Sequence, residues 1–94
     1  MVIAIIFDWD AGNMMKNITK HGISNIEAES VFGDDDKLIV FDKKHSGDEM
    51  RFYCIGKSLE ERVLLITFTT RSTKIRIISA RKANEKEKKQ YLLR

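Results

Sequence analysis

The spacing of apolar residues in the first third of the chain predicts one short strand followed by helices. Residues 2–7 are a short, mostly β-branched run that predicts a strand. Residues 11–20 carry methionine and isoleucine at helical spacing, and Gly22 suits the left-handed conformation that often ends a helix. The pattern therefore predicts a first helix that closes at His21-Gly22.

A second helix is predicted from Ser24, because Ser24 and Glu27 have the spacing of a capping box. In that motif each side chain hydrogen-bonds to the other residue's backbone. The side chains expected to point inward from this helix are Ile26, Val31 and Phe32. The sequence Gly-Asp-Asp-Asp at residues 33–36 predicts the turn that ends it.

From residue 37 onward the apolar period changes from that of a helix to that of a strand. Short β-rich segments separated by polar turns predict strands at residues 38–41, 50–57, 62–70 and 74–80. Connections this short imply hairpins, and therefore an antiparallel meander. Asn84 and Glu87 resemble an N-cap pair, so residues 85–93 predict a closing helix.

Neither of the last two predicted strands alternates cleanly between apolar and polar residues. In residues 62–70 and again in residues 74–80, apolar side chains fall on both faces. An antiparallel sheet with one solvated face alternates, so both faces of this sheet are expected to be partly covered. The expected fold class is α+β. It is a single domain over residues 1–94, with an antiparallel sheet of about four to five strands, N-terminal helices and a C-terminal helix.

The composition is that of an ordinary globular domain with an uneven charge distribution. The chain has 94 residues, of which 43% are hydrophobic and 33% charged, and a formal net charge of +3. Residues 1–70 hold eight basic and twelve acidic side chains, whereas residues 71–94 hold nine basic and two acidic ones. Such segregation is typical of a surface that binds polyanions, although a solvated, lysine-rich terminal helix has the same composition.

Cysteine usage and the lack of a long apolar segment predict a soluble, cytoplasmic protein that does not associate with membranes. The single cysteine, Cys54, cannot form an internal disulfide. Residues 2–7 are too short for a signal peptide or a membrane span. His21 and His45 lie far apart, and no cysteine pair or regular carboxylate spacing accompanies them. We therefore expect neither a metal site nor a cofactor.

Several short strings resemble a known family when they are taken together. They are Phe7-Asp8-Trp9-Asp10, Asn-Ile-Thr-Lys-His-Gly-Ile-Ser at residues 17–24, Glu49-Met50-Arg51-Phe52 with Gly56, and Arg-Ile-Ile-Ser-Ala-Arg at residues 76–81, followed by Ala83, Glu87 and Tyr91. Their order and spacing resemble the BrnT family of bacterial toxins over nearly the whole chain. The Lys20-His21-Gly22 string alone would be weak evidence for the family. The arginine-containing string at residues 76–81, at the matching distance, makes the resemblance specific.

The resemblance implies a compact relative of the RelE-type messenger-RNA ribonucleases, with a cleft on one face of its sheet. It implies the toxin of a type II toxin-antitoxin system, which cleaves RNA and stops translation without a cofactor. The implied partners are RNA and a cognate BrnA-type antitoxin in a heteromeric complex. Operator DNA would be contacted only through that complex.

Metal-free RNA cleavage needs a group that activates the ribose 2′-OH, a donor for the leaving 5′-oxygen, and cations around the phosphorane. The cations in the matched strings are Lys20, Arg51, Arg76 and Arg81. Arg51 and Arg76 are expected to project from the same face of neighbouring strands and to clamp the phosphate. Surface ion pairs with Glu49 or nearby aspartates would explain either arginine equally well.

Proton transfer is assigned to Lys20, His21 or Glu49. Imidazole is the side chain that titrates near neutral pH, but a histidine directly before a helix-ending glycine also suits contact with the last carbonyls. A solvated surface position without a catalytic role would fit Glu49 equally well. His45 lies in a polar loop that could reach the cleft, although a solvated position is the simpler expectation.

The basic C-terminal segment supplies the predicted RNA-binding lysines, which are Lys82, Lys86, Lys88 and Lys89. Trp9 and Tyr91 could stack on bases, but packing is the favoured interpretation, with Tyr91 as the anchor of the last helix. Cys54 is predicted to be a small buried apolar residue. Two other function classes fit the same basic segment. One is a non-catalytic RNA- or DNA-binding module, and the other is a protein-interaction domain.

Overall fold

The computed structural model describes residues 5–9 and 21–93, which form an α+β fold around one five-stranded sheet. The strands are β1 (Ile6–Phe7), β2 (Leu38–Phe41), β3 (Phe52–Lys57), β4 (Val63–Arg71) and β5 (Lys74–Lys82). The helices are α1 (Asn25–Ser30), the 3₁₀ turn Val31–Gly33 and α2 (Glu85–Leu93). The predicted helix at residues 11–20, which includes Lys20, lies outside the described residues.

The predicted antiparallel meander is confirmed, and one parallel strand is added to it. The strand order is β1-β5-β4-β3-β2, with antiparallel pairing throughout β2 to β5. β1 lies beside β5 in parallel, where Phe7 pairs with Ile75. The predicted strand ends were shifted by a few residues, because β3 begins at Phe52 and β5 continues to Lys82.

The two faces of the sheet carry apolar clusters of unequal size, which confirms that both faces are covered in part. The main core lies under α1 and the 3₁₀ turn, and its buried members include Ile23, Val31, Phe32, Leu64, Ile66, Phe68 and Ile77. The smaller cluster lies on the opposite face, where Ile55, Leu65 and Ala83 pack against Tyr91 of α2. Cys54 is fully buried in the main core, as predicted.

A β-bulge in β5 changes which residues face each side of the sheet. Thr67 pairs with Ser79 and Phe68 pairs with Ile77, so Ile78 has no partner in the register. An extra residue of this kind breaks the two-residue alternation of a strand. As a result Arg76 and Arg81 share the face opposite the main core, although their sequence separation is odd.

Before α1, the predicted conformation of Gly22 and one of the two predicted capping-box hydrogen bonds are confirmed, and the other hydrogen bond is wrong. Gly22 has a φ of +65°, as expected for a helix-ending glycine, and the Glu27 backbone N–H donates to Ser24 Oγ at 3.1 Å. The reciprocal half of the capping box was wrong, since the buried Glu27 carboxylate accepts from Ser58 Oγ at 2.7 Å and from the Arg62 guanidinium. That guanidinium lowers the pKa of Glu27.

The inward orientation expected for three apolar residues around α1 is confirmed for two of them. Val31 and Phe32 are buried, but Ile26 is 72% exposed. The expectation for Ile26 was wrong because the buried side of α1 is taken by Glu27 and Ala28.

Hydrogen bonds at the two ends of α2 confirm its predicted N-cap and its predicted anchor. The Glu87 backbone N–H donates to Asn84 Oδ1 at 2.8 Å, and the Asn84 N–H donates to Glu87 Oε1 at 2.9 Å. At the other end of the helix the buried Tyr91 donates its hydroxyl to Asp34 Oδ2 at 2.6 Å. α2 therefore covers one end of the sheet face that carries the smaller cluster.

Candidate nucleic-acid cleft

A cleft of about 490 Å³ opens on the sheet face opposite the main core, between α2 and the loop that joins β2 to β3. Its size is within the ordinary range of ligand sites, about 300–1,000 Å³. The floor is formed by five side chains from the three central strands: Tyr53, Leu65, Thr67, Ile78 and Ser79. The ends of the cleft are cationic, with Arg51 beside the loop and Arg81 beside α2.

The loop end of the cleft is organised by Asp42. Its carboxylate accepts from His45 Nδ1 at 2.8 Å and from the His45 backbone N–H at 3.3 Å. Ser46 Oγ donates to the Asp42 carbonyl at 2.7 Å and accepts from the Arg51 N–H at 2.9 Å. A carboxylate can only accept, so Nδ1 carries a proton and neutral His45 has its lone pair on Nε2. Asp42 thereby orients an imidazole that lines the cleft.

At the other end of the cleft, Arg81 is held by Glu87. Arg81 Nη1 donates to Glu87 Oε1 and Nη2 donates to Oε2, each at 2.8 Å. This two-bond pair lowers the pKa of Glu87, and the same carboxylate raises the pKa of Arg81. Arg81 keeps 41% of its side chain exposed and lines the cleft.

The expectation that Arg51 and Arg76 lie on neighbouring strands is wrong. Arg51 immediately precedes β3, Arg76 lies in β5, and β4 runs between them. Their backbones are therefore about two strand spacings apart, ~10 Å. Arg76 pairs with Thr69 and lies on the same face as the cleft, but it is not among the residues that line it.

Two further predicted catalytic residues, His21 and Glu49, lie outside the cleft. Glu49 accepts from Arg71 Nη2 at 3.2 Å, so the ion pair considered between Glu49 and Arg51 is replaced by one with Arg71. His21 precedes Gly22, whose carbonyl accepts from Arg62 at the turn between β3 and β4, on the side of α1. The cleft therefore brings together Arg51 and Arg81 but neither His21 nor Glu49.

Three of the four predicted RNA-binding lysines lie on α2, and Lys82 is the last residue of β5. Lys86 is four residues from Gln90, which lines the cleft, so Lys86 shares that flank of the helix. Lys88 lies on the other flank beside Lys82 and pairs with Glu85 at 3.6 Å. Lys89 is exposed. Lys86 therefore lies next to the cleft, whereas Lys82 and Lys88 do not.

The cleft residues missing from the predicted site include Asp42, Tyr53 and Glu87. His45 was considered for the cleft but was expected to be a solvated loop residue. The spacing Asp42-x-x-His45 was the available signal, because an aspartate readily hydrogen-bonds the backbone a few residues ahead. Glu87 was interpreted as half of an N-cap pair and as part of the family strings, but not as a cleft residue. No sequence pattern indicated Tyr53.

Within the described parts of the chain, no group of three or more His, Cys, Asp or Glu side chains is arranged to hold a metal ion. Neither described helix has the length and apolar character needed to cross a bilayer. The Cys54 thiol lies in the apolar core, where burial raises its pKa to about 12. The polar groups that line the cleft are imidazole, guanidinium, carboxylate, hydroxyl and amide groups.

The structure is that of a small α+β protein with a cleft that has an arginine at each end. Residues 9–87 match the family described as the ribonuclease toxin BrnT of type II toxin-antitoxin systems. The chain belongs to this family, which confirms the resemblance seen in its short strings. A type II system pairs its toxin with a protein antitoxin, so membership implies a protein partner.

Among solved structures, the fold is similar to the crystal structure of the Brucella abortus ribonuclease toxin BrnT. The TM-score is 0.65 and the sequence identity 20%, over 87% of this chain and 100% of that one. This similarity confirms the predicted fold class. No curated protein sequence matches the chain significantly.

Proposed function

We propose that this chain is the toxin of its system and an endoribonuclease that acts in the cleft without a metal ion, as the RelE-type enzymes do. The observation that carries the proposal is the joint presence of Arg51, Arg81 and the Asp42–His45 pair in one cleft. A guanidinium suits phosphate because its donors form a planar fork. An imidazole held by a carboxylate is the common arrangement of a general base.

In the proposed reaction, His45 Nε2 removes the proton from a ribose 2′-OH. The 2′-oxygen attacks the adjacent phosphorus, and the bond from phosphorus to the 5′-oxygen breaks. The products are a 2′,3′-cyclic phosphate and a 5′-OH that takes its proton from water. Arg51, at the same end of the cleft as His45, stabilises the additional negative charge on the phosphorane. Such stabilisation is usually the largest single contribution to catalysis. Arg81 binds a neighbouring phosphate at the other end of the cleft.

The roles predicted from sequence for Lys20, His21, Glu49 and Arg76 stay predictions beside this assignment. Arg76 is about 10 Å from Arg51 at the backbone, a separation that two extended arginine side chains can bridge to reach one phosphate. The natural substrate proposed is messenger RNA in the cytoplasm, and its cleavage would stop translation. A cognate BrnA-type antitoxin is the proposed protein partner, and operator DNA would be bound only by their complex.

The test compares two histidine variants for cleavage of a defined RNA in buffer that contains a chelator. His45→Ala should lower the rate by about 100-fold or more, the usual contribution of a general base. His21→Ala is the matched control and should cost far less. A larger loss in His21→Ala than in His45→Ala would favour His21 as the base. Full activity of His45→Ala would rule out His45 as the base. Loss of all cleavage on chelation would contradict the metal-free reaction.

A pair of lysine variants tests whether RNA enters through this cleft. Lys86→Ala should weaken RNA binding more than Lys88→Ala, since only Lys86 shares the flank of Gln90. The two changes alter the net charge equally and lie on the same helix. Equal effects on the dissociation constant would indicate binding by overall charge rather than by the cleft.

A further inference from the structure

The floor of the cleft is apolar at its centre, which phosphate binding alone does not require. Tyr53, Leu65 and Ile78 lie there, between the cationic ends. We propose that this floor is a nucleobase subsite, with the Tyr53 ring as its stacking platform and with Arg51 and Arg81 taking the phosphates on either side. The inference rests on the proposed function, because it takes RNA as the ligand.

The position of Tyr53 suits a stacking platform. The ring is half-buried and packs against the cluster that contains Ile55 and Leu65, so its orientation is fixed before a ligand arrives. A base stacked on it would replace water over apolar surface, and aromatic rings in proteins commonly hold unstacked RNA bases this way. Arg51 is two residues earlier on the same face, ~7 Å along the strand.

The surrounding hydroxyls suit the edge of a base. Tyr53 pairs with Thr67, and Thr67 pairs with Ser79, so the three side chains form one row across β3, β4 and β5. A hydroxyl both donates and accepts hydrogen bonds. Thr67 and Ser79 can therefore satisfy the polar edge of any base, and every base has a π-face for stacking. The subsite is accordingly a general base site without strong preference for one of the four bases.

The experiment measures binding of uncleavable chains by fluorescence anisotropy. One probe is a five-nucleotide 2′-O-methyluridine chain, and the other is an abasic sugar-phosphate chain of equal length and charge. The wild-type protein should bind the base-bearing chain about tenfold more tightly, the order expected for base stacking. Equal affinity for the two chains, or no binding of either, would overturn the subsite without any variant being made.

Three variants test whether the preference for the base-bearing chain depends on the Tyr53 ring. Tyr53→Phe should keep the preference for bases, while Tyr53→Leu should lose most of it and leave the affinity for the abasic chain unchanged. Phe41→Leu is the matched control, since Phe41 is an exposed aromatic residue outside the cleft. Preserved preference in Tyr53→Leu, with thermal unfolding as the folding control, would overturn the role of Tyr53. Neither probe can be cleaved, so the binding measurement does not depend on catalysis. A failed cleavage assay would refute the proposed endoribonuclease activity and leave the measured preference for bases valid.

Discussion

The ion pair between Arg81 and Glu87 predicts that one substitution will weaken the fold and strengthen RNA binding. Glu87→Gln keeps a side-chain oxygen for the Asn84 N–H, because glutamine also serves in a capping box. It replaces the second oxygen, which accepts from Arg81 Nη2 at 2.8 Å, with an amide that cannot accept. Arg81 is thereby released in part toward the cleft.

The expected loss of stability is modest. Glu87 is 14% exposed and Arg81 41% exposed, so solvent screens the pair and its contribution is about 0.5–1 kcal/mol. For a domain of this size that corresponds to a shift in Tm of roughly 2–8 °C. Urea unfolding followed by circular dichroism would measure the free energy of unfolding.

The sign of the pH dependence follows from the lowered pKa of Glu87. A carboxyl whose pKa is lower in the folded state adds stability above its unfolded pKa and loses it as pH falls through the folded value. The stability difference between wild type and Glu87→Gln should therefore be constant near neutral pH and shrink as pH falls below about 4.5, the reference value.

RNA affinity should rise by about fivefold in Glu87→Gln, equivalent to about 1 kcal/mol, because a competing carboxylate has left the cleft. Glu85→Gln is the matched control, with the same charge change on the same helix at an 87% exposed side chain. Equal gains in both variants would show that net charge alone is responsible. A loss of affinity in Glu87→Gln would refute the reasoning, since Glu87 would then be holding Arg81 in its binding position.

Two further predictions concern stability and are measured by the same urea unfolding. Tyr91→Phe removes the hydroxyl that donates to Asp34 at 2.6 Å and should cost about 1.5–3 kcal/mol, because the acceptor is a carboxylate; a cost under about 0.5 kcal/mol would contradict it. Gly56→Ala would place a Cβ 3.0 Å from Val31 Cγ1 and should cost about 1–3 kcal/mol by overpacking. In its control, Gly33→Ala, the added Cβ has no other atom within 4 Å, so the loss of unfolding free energy should be smaller.

The meander was predictable from sequence because each of its hairpins is a local feature. Residues 58–61 and 71–73 were recognised as turns, and the structure has positive φ angles at Glu61 and Ser72 within them. Tyr91 could be predicted as an anchor because it is the one aromatic residue of α2 and follows six polar residues. Local spacing contains the information needed for elements of this kind.

The geometry of the site was less predictable, because it depends on strand order and on loop structure. The sequence suggested that Arg51 and Arg76 were neighbours, but a meander places a strand between them. His45 reaches the cleft through hydrogen bonds that Asp42 and Ser46 make within the loop. Such contacts depend on side-chain geometry that apolar periodicity does not describe.

The bulge at Ile78 reverses the alternation of side chains between the two faces of β5. On either side of it the strand alternates with the usual period of two, but the two segments have opposite parity. Arg76 and Arg81, five residues apart, therefore share a face only because the bulge accommodates one extra residue. Straightening the strand with all of its residues kept would turn one arginine toward the apolar core. Deletion of Ile78 would instead restore simple alternation with both arginines still on the same face. For this segment, the presence of the extra residue and the presence of the bulge must change together.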